Sequence, residues 1–206
     1  MSYFPFFMDI GGADGLIVGG GKVALRKAEK LLPYGPRITA AAPCIDPAFE
    51  ALEGVCLLRA PFADEMLEGR AFVIAATDDA ALNHRISALC REKKIPVNVV
   101  DDREACSFLF PSLVKAGEVS IGISTGGASP SAAIYLKEQI QALLPQGLEE
   151  IVAFLDELRP RFKAALPTEK ERSRVYKELL SRCLALGRPL DGGELENYLK
   201  EEGIGP

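Results

Sequence analysis

The stretch Leu16-Ile-Val-Gly-Gly-Gly-Lys-Val-Ala24 (LIVGGGKVA) decides the fold of this chain. Residues 15–18 form a short apolar run typical of a buried parallel strand, and apolar residues at helical spacing continue from Lys22 to Tyr34. A strand, a glycine loop and a helix in this order match the G-x-G-x-x-A form of the dinucleotide-binding fingerprint. The stretch therefore predicts a nucleotide site, with a tight strand-to-helix turn that binds nothing as the alternative.

The positions of this loop have separate physical tasks. Gly19 permits the tight turn, Gly21 lets backbone N–H groups approach a pyrophosphate, and Ala24 lets the helix pack closely on the strand. The N-terminus of the helix adds partial positive charge and free donors. We expect Gly20 to contact the cofactor together with Gly19 and Gly21.

The second strand lacks the acidic residue that usually holds a ribose in such sites. That residue should fall near Thr39 to Pro43, where the sequence reads TAAAP without a carboxylate. Ribose contacts would then come from the backbone or from small side chains. The residues alone leave the choice between NAD and NADP open.

Short apolar strands alternate with helices through the first half of the chain. We predict helices at about 47–52 and 79–93, and strands at 37–41, 55–58, 71–76 and 96–100. This alternation indicates an α/β fold with a Rossmann-like, doubly wound parallel sheet.

The pattern changes after Asp101. Two strand-like runs at 107–114 and 118–124 suggest a hairpin, and Ser129-Pro130 caps a helix that reaches about Leu144. The remainder is helical, with capping boxes at 168–171 and 191–194. We therefore predict three regions: a nucleotide-binding domain at 1–113, a small α+β region at 114–146 and a helical domain at 147–206.

Composition excludes several classes of protein. The 206 residues carry a net charge of -5, which argues against sequence-independent nucleic-acid binding. No apolar run has the length of a membrane helix and the N-terminus does not read as a signal peptide, so we expect a cytoplasmic protein without membrane association. The chain has five dispersed cysteines and one histidine, His84. This spacing argues against a metal site formed by the protein.

Polar clusters follow the predicted strands at the edge where doubly wound sheets bind ligands. Thr77-Asp78-Asp79 follows one strand, and Asp101-Asp102 follows the next. Both aspartate pairs have an alternative interpretation as helix caps or solvated turns, which we favour for Asp78 and Asp79. A small-residue loop at 124–130 is either an anion site or a capped turn.

Five motifs in one order resemble the precorrin-2 dehydrogenase and sirohydrochlorin ferrochelatase module of siroheme synthesis. They are LIVGGGKVALRKAEKLL at 16–32, AATDD at 75–79, VNVVDD at 97–102, CSFLFPSLV at 106–114 and ISTGGASPSAA at 123–133. The resemblance implies a Rossmann domain, a central dimerisation region and a helical C-terminal domain. It also implies a homodimer that binds NAD and a tetrapyrrole, and in bifunctional members inserts ferrous iron.

The resemblance also assigns residues. It implies Asp101 as the catalytic aspartate and matches Lys22, Val23, Pro43 and Cys44 to NAD contacts; Thr125 stands where some members have a serine that can be phosphorylated. With the glycines and Thr77 added, the expected cofactor contacts are Gly19, Gly20, Gly21, Lys22, Val23, Pro43, Cys44 and Thr77. The expected substrate contacts are Ser124, Thr125 and Arg103.

The chemistry and two competing functions follow from these assignments. Oxidation of precorrin-2 sends a hydride to the nicotinamide and a proton to a base, for which Asp101 is the best-placed residue. Further cations for the substrate carboxylates are Lys115, the RPRFK run at 159–163, Arg172 and Arg174, unless those in the helices are ordinary solvated surface. The alternatives are a non-catalytic NAD-sensing module and a member acting only as chelatase.

Overall fold

A computed structural model describes residues 3–205 of the chain, which divides into two compact units on either side of the bond between Phe110 and Pro111. The first unit holds a five-stranded, wholly parallel sheet in the order β3-β2-β1-β4-β5. Its strands are β1 (Asp14–Val18), β2 (Arg37–Ala41), β3 (Val55–Leu58), β4 (Phe72–Ala75) and β5 (Val97–Val99).

Two α-helices and three short 3-10 helices connect these strands. The α-helices are α1 (Lys22–Leu31) and α2 (Ala80–Glu92), and the 3-10 helices are Leu32–Tyr34, Pro47–Ala51 and Asp64–Leu67. The chain leaves β1 toward β2 and β3 and then returns past β1 to β4, so the strand order reverses beside β1. This reversal confirms the predicted doubly wound sheet.

Both faces of the central strands are buried. Leu16 and Val18 of β1 pack into one apolar cluster, while Ile17 joins Ala24 and Ala28 of α1 in another. Alternate side chains of a strand point to opposite faces, so a continuous apolar run fills two cores at once. The small residues Ala24 and Ala28 have no measurable exposure and let α1 lie close on the sheet.

The second unit begins with an antiparallel hairpin and continues as helices. The hairpin strands are β6 (Ser112–Ala116) and β7 (Val119–Ile123), and α3 packs on β6. The helices are α3 (Pro130–Leu143), α4 (Leu148–Glu157), α5 (Arg159–Ala165), α6 (Glu169–Leu186) and α7 (Gly192–Glu201). Ile151, Phe162, Leu179 and Tyr198 form the centre of the helical core.

Both predicted capping boxes are present in this unit. Thr168 and Glu171 exchange hydrogen bonds at the start of α6, and Asp191 and Glu194 do so at the start of α7. Each box satisfies backbone donors that the first turn of a helix leaves free. The caps therefore fix where the last two helices begin.

The strand predicted at 107–114 is wrong in its first half, because β6 begins only at Ser112. Ser107 and Phe108 bond to β5 instead: the backbone N–H of Ser107 donates to the Val97 carbonyl at 2.8 Å, and the Asn98 amide donates to the Phe108 carbonyl at 3.0 Å. Pro111 then has no N–H for a ladder. The predicted boundary after 113 falls inside β6, and the three-part division stays a prediction.

Candidate active site

Gly19 lies where β1 passes into the glycine loop, and it packs against the end of β4. Its φ angle is +133°, and a Cβ atom there would lie 2.3 Å from the carbonyl oxygen of Ala76. The Gly19 N–H donates to the Ala41 carbonyl at 2.9 Å. Only glycine combines this backbone conformation with this close approach, so Gly19 joins the ends of three neighbouring strands.

Gly20 is pressed against the segment that follows β2. A Cβ atom there would lie 2.1 Å from the Cys44 carbonyl oxygen, and the Gly20 carbonyl accepts a hydrogen bond from the Asp46 N–H at 2.8 Å. This contact brings Pro43 and Cys44 beside the glycine loop, and both are exposed. The structure thus gathers these two predicted cofactor contacts around the loop.

Gly21 faces open space and is the N-cap residue of α1. Apart from its chain neighbours and the backbone of α1, no atom of residues 3–205 lies within 4 Å of the position that its Cβ would take, and none of their side chains caps the helix. The first turn carries no acidic residue, and Lys22 and Val23 are exposed there. Free N–H donors, the positive end of the helix dipole and unfilled space fit the diphosphate of a dinucleotide.

The second strand ends without a carboxylate, as its sequence indicates. β2 reads RITAA and runs into Ala42, Pro43 and Cys44. The only hydroxyl on this strand, Thr39 Oγ1, accepts a hydrogen bond from Arg70 at 3.0 Å. A ribose at this edge would therefore form hydrogen bonds with backbone groups of the segment after β2.

Thr77 follows β4, and the carboxamide of Asn83 on α2 holds it in place. Asn83 Nδ2 donates to the Thr77 carbonyl at 2.9 Å, and Asn83 Oδ1 accepts from the Thr77 hydroxyl at 2.7 Å. Asp79 caps α2 by accepting from the Leu82 N–H, as favoured from the sequence. Asn83 itself was missed, because a polar side chain inside an amphipathic helix normally reads as surface.

Asp101 lies in the turn after β5, which pairs with β4, the strand that precedes Thr77. It is exposed, and its φ angle of +59° is in the left-handed region. Asp tolerates this region better than most residues other than glycine. An exposed carboxylate on a constrained turn, at the carboxyl edge of the sheet, is suited to accept a proton from a bound ligand.

Asp102 stabilises the turn that carries Asp101, and both of its carboxylate oxygens have partners within the protein. Its Oδ1 accepts from the N–H groups of Glu104 and Ala105 at 3.1 and 3.0 Å, and its Oδ2 lies 3.0 Å from His84 Nε2. The His84 ring is mostly exposed. His84 is thus a surface residue whose ring contacts the turn that carries Asp101.

Cys106 is a buried residue that joins the two ends of the Asp101 turn. Its sulfur lies 3.1 Å from the Val99 N–H nitrogen and 3.1 Å from the Asp102 carbonyl oxygen. Burial raises the pKa of the Cys106 thiol, so the sulfur stays protonated and neutral. The residue is structural, and the sequence showed it only as a dispersed cysteine.

The predicted substrate contacts fall in both units. Arg103 is exposed in the first unit, with its guanidinium carbon 5.5 Å from the centre of the Tyr3 ring. Ser124 and Thr125 lie in the second unit, in the loop after β7. Ser124 Oγ accepts from the Gly126 N–H, and Thr125 Oγ1 accepts from Ser129 N–H and donates to the Ser129 carbonyl. These hydroxyls hold the loop as a turn capped by Ser129.

Several cations proposed for substrate carboxylates already have partners within the protein. Arg172 donates to the carbonyls of Leu166 and Pro167, and Arg174 pairs with Glu202. Arg159, Lys163 and Arg172 nevertheless line an open groove of about 570 Å³ in the helical unit. Within the described range 3–205, no group of three or more His, Cys, Asp or Glu residues is arranged to hold a metal ion.

A family model described as NAD(P)-binding matches residues 6–112, and the chain belongs to this family. Within residues 3–205, no helix is long and apolar enough to cross a membrane. The class agrees with the open glycine loop and with the doubly wound sheet.

The resemblance to the siroheme module is also confirmed. The chain is 38% identical over 183 residues to the siroheme synthase of Thioalkalivibrio sulfidiphilus, with 87% of this chain and 37% of that protein covered. It is 35% identical over 209 residues to the siroheme synthase of a Psychrobacter species, with 98% and 42% covered. The chain thus spans less than half the length of these relatives.

One solved structure has the same fold over the whole chain. This structure, described as SirC, precorrin-2 dehydrogenase, aligns with a TM-score of 0.70 and 23% identity, covering 98% of this chain and 99% of that one. The match shows that the Rossmann-like sheet, the small hairpin region and the helical region occur together in another protein.

Proposed function

We propose that this protein oxidises precorrin-2 to sirohydrochlorin with NAD as the hydride acceptor, as one step in siroheme synthesis. The observation that carries the proposal is the position of Asp101. Its turn follows β5, next but one in the sheet to β1, whose open glycine loop fits a dinucleotide. The similarity to siroheme synthases supports a tetrapyrrole as the substrate, and we propose that it binds between these two features.

The residues divide the chemistry between them. When bound, the nicotinamide supplies the hydride acceptor, while the loop glycines, Lys22 and Val23 bind the diphosphate at the N-terminus of α1. Pro43, Cys44 and Thr77 line the edge on which the rest of the cofactor would lie. Asp101 accepts the proton that leaves the substrate carbon framework, so two hydrogens leave as one hydride and one proton.

The substrate carries several carboxylates, whereas the protein has a net charge of -5, so local cations must bind it. We propose that Arg103 provides one such contact in the first unit and that Ser124 and Thr125 provide polar contacts in the second. We also propose a homodimer formed through the 114–146 region, and a cytoplasmic location where the five free cysteines stay reduced.

The experiment is turnover of precorrin-2 by purified protein with NAD, followed as NADH absorbance and as the sirohydrochlorin spectrum. Asp101→Asn is the sharp variant, because asparagine keeps the shape and tolerates φ of +59° but cannot accept the proton. We expect loss of turnover with nearly unchanged NAD affinity. Asp78→Ala, an exposed carboxylate after β4, is the matched control and should turn over normally.

A second activity, insertion of ferrous iron into sirohydrochlorin, is a further part of the proposal. The support for this part is the similarity to the siroheme synthases, because siroheme is the iron complex of sirohydrochlorin. Anaerobic addition of ferrous or cobaltous ion to sirohydrochlorin and protein tests it. Faster metallation than in the protein-free control is expected, and an equal rate would reject this second activity.

A further inference from the structure

Lys27 is a partly buried cation beside the proposed reaction site that the assignments above do not use. It lies on α1, and its Nζ donates to Asn98 Oδ1 of β5 at 3.2 Å. The same ammonium lies 4.0 Å from the centre of the Phe110 ring, in cation–π contact. Lys27 therefore connects α1, whose N-terminus faces the proposed cofactor site, with β5, the strand that precedes Asp101.

The partner of Lys27 is itself tied to the Asp101 turn. Asn98 is buried, and its Nδ2 donates to the Phe108 carbonyl at 3.0 Å and lies 3.4 Å from the Cys106 sulfur. The Cys106 sulfur in turn contacts both ends of the turn, at Val99 and Asp102. A continuous set of hydrogen bonds thus runs from Lys27 to the backbone on either side of Asp101.

The charge of Lys27 is costly for the fold to keep. Burial, followed by repulsion from Lys30, lowers the pKa of Lys27 to about 8, while attraction to the Asp101 carboxylate acts in the opposite direction. An ammonium has three donors, and across residues 3–205 Asn98 Oδ1 is the one hydrogen-bond acceptor found for it. A charge retained at such a cost, at the edge of a cofactor site, indicates a functional reason.

We propose that Lys27 is a positioning residue of the dehydrogenase site, which holds the Asn98–Asp101 segment and sets a positive charge within electrostatic reach of the Asp101 carboxylate. The inference rests on the proposed function. Its consequence is a dependence of turnover on the protonation of Lys27. Loss of that proton removes the attraction to Asp101 and weakens the hydrogen bond to Asn98, so turnover should fall as pH rises through about 8.

The kinetic test compares Lys27→Arg and Lys27→Met with the unchanged protein from pH 6.5 to 9.5. The guanidinium of Lys27→Arg stays charged, so its turnover should lose the decline near pH 8. Lys27→Met should lower kcat at pH 7 by as much as roughly 100-fold, with KM changed less than about twofold, because the base is misplaced. An unchanged kcat in Lys27→Met, or an effect on KM alone, would overturn the proposal.

Two measurements without substrate separate a positioning role from a structural one. In the unliganded protein, the ¹³C resonance of Lys27 Cε should titrate near pH 8; titration near the ordinary value would contradict the proposal. Lys27→Met should change the melting temperature at pH 7 by less than about 4 °C, since removal of a desolvated charge offsets the lost hydrogen bond to Asn98. A larger decrease would indicate a structural lysine.

Lys30→Met is the matched control, because Lys30 is an exposed lysine on the same helix. It should keep the kcat plateau and move the decline to slightly higher pH, as a like charge near Lys27 is removed. Failure of the proposed function would show as no turnover in the unchanged protein. Failure of this inference would show as normal turnover in both Lys27 variants.

Discussion

Gly20 and Gly21 are neighbours that need to be glycine for different reasons. At Gly20, a side chain would collide with the backbone of Cys44, so the requirement comes from the fold. At Gly21, a side chain would meet nothing in the protein, and its φ angle of -88° is open to any residue. The requirement there comes from the space that a ligand would occupy.

Alanine at each position separates these two requirements. Gly20→Ala should destabilise the protein by about 1–3 kcal/mol, because backbone atoms must shift to admit a methyl group. Gly21→Ala should leave the free energy of unfolding within about 0.5 kcal/mol of the original and still weaken NAD binding at least about tenfold. Urea denaturation and calorimetric titration measure the two effects; unchanged NAD affinity in Gly21→Ala would place the diphosphate elsewhere.

Asn83 carries a second prediction at this scale. Asn83→Leu keeps the size of the side chain but leaves the backbone groups of Thr77 without partners, at a cost of about 1–3 kcal/mol. Cofactor affinity should fall as well, since Thr77 lies at the edge of the site. Asn197→Leu, on an exposed position of α7, is the control in the same denaturation experiment. Equal stability of both variants would show that Asn83 does not hold the Thr77 turn.

The sequence predicts some of the site residues and misses others for a physical reason. The glycines and Asp101 are predicted correctly at the edge of the sheet, because each follows a strand that the hydrophobic pattern shows. Lys27, Asn83 and Cys106 act through contacts with residues distant in sequence, and nothing local distinguishes Lys27 from a surface lysine. The one available signal was Asn98, a polar residue inside the apolar run PVNVV.

At the scale of elements, the strands of the parallel sheet are predicted well because both of their faces are buried. β2 and β3 have the predicted bounds, and β4 and β5 are one residue shorter at each end. The strand prediction is wrong at 107–111, where an apolar run lies along the edge strand β5 without forming a ladder of backbone hydrogen bonds. The side chains of Asn98 and Ser107 replace ladder bonds there, and such bonds cannot be read from hydrophobic pattern.

The start of α7 makes a prediction about acid stability. The Arg188 guanidinium, followed by the Asp191 N–H, lowers the pKa of Glu194 to about 2. A depressed carboxyl pKa stabilises the fold above its ordinary value of 4.5, and this stabilisation is lost as pH falls toward 2. Thermal melts should therefore show a smaller loss of stability between pH 4.5 and about 2 in Glu194→Gln than in the unchanged protein. Glu196→Gln, an exposed neighbour on α7, should not change the slope.

At the scale of the whole molecule, α3 leaves an apolar surface that the described part of the second unit does not cover. Ala133 is buried, but Ile134, Tyr135, Leu136 and Leu143 are between 44% and 79% exposed. Ala133, Leu136, Ile140 and Leu143 recur at helical spacing along α3, and only Ala133 of these four is buried. This surface lies within the proposed dimerisation region, where a second copy of the chain would cover it.

The oligomeric state tests this interpretation. Light scattering should give twice the chain mass of 22.2 kDa for the unchanged protein, and a smaller mass for Ile134→Asp. Leu186→Asp, at an exposed leucine near the end of α6, is the control and should stay a dimer. A monomer at all concentrations for the unchanged protein would contradict the proposed homodimer.

The central claim is that NAD bound at the glycine loop would accept a hydride from precorrin-2 while Asp101 accepts the proton. The most direct measurement is NADH formation from precorrin-2 and NAD by the unchanged protein and by Asp101→Asn, with NAD affinity measured for both. We predict turnover in the first, a loss on the order of 100-fold or more in the second, and equal affinity for NAD. Turnover by Asp101→Asn at the unchanged rate would contradict the account.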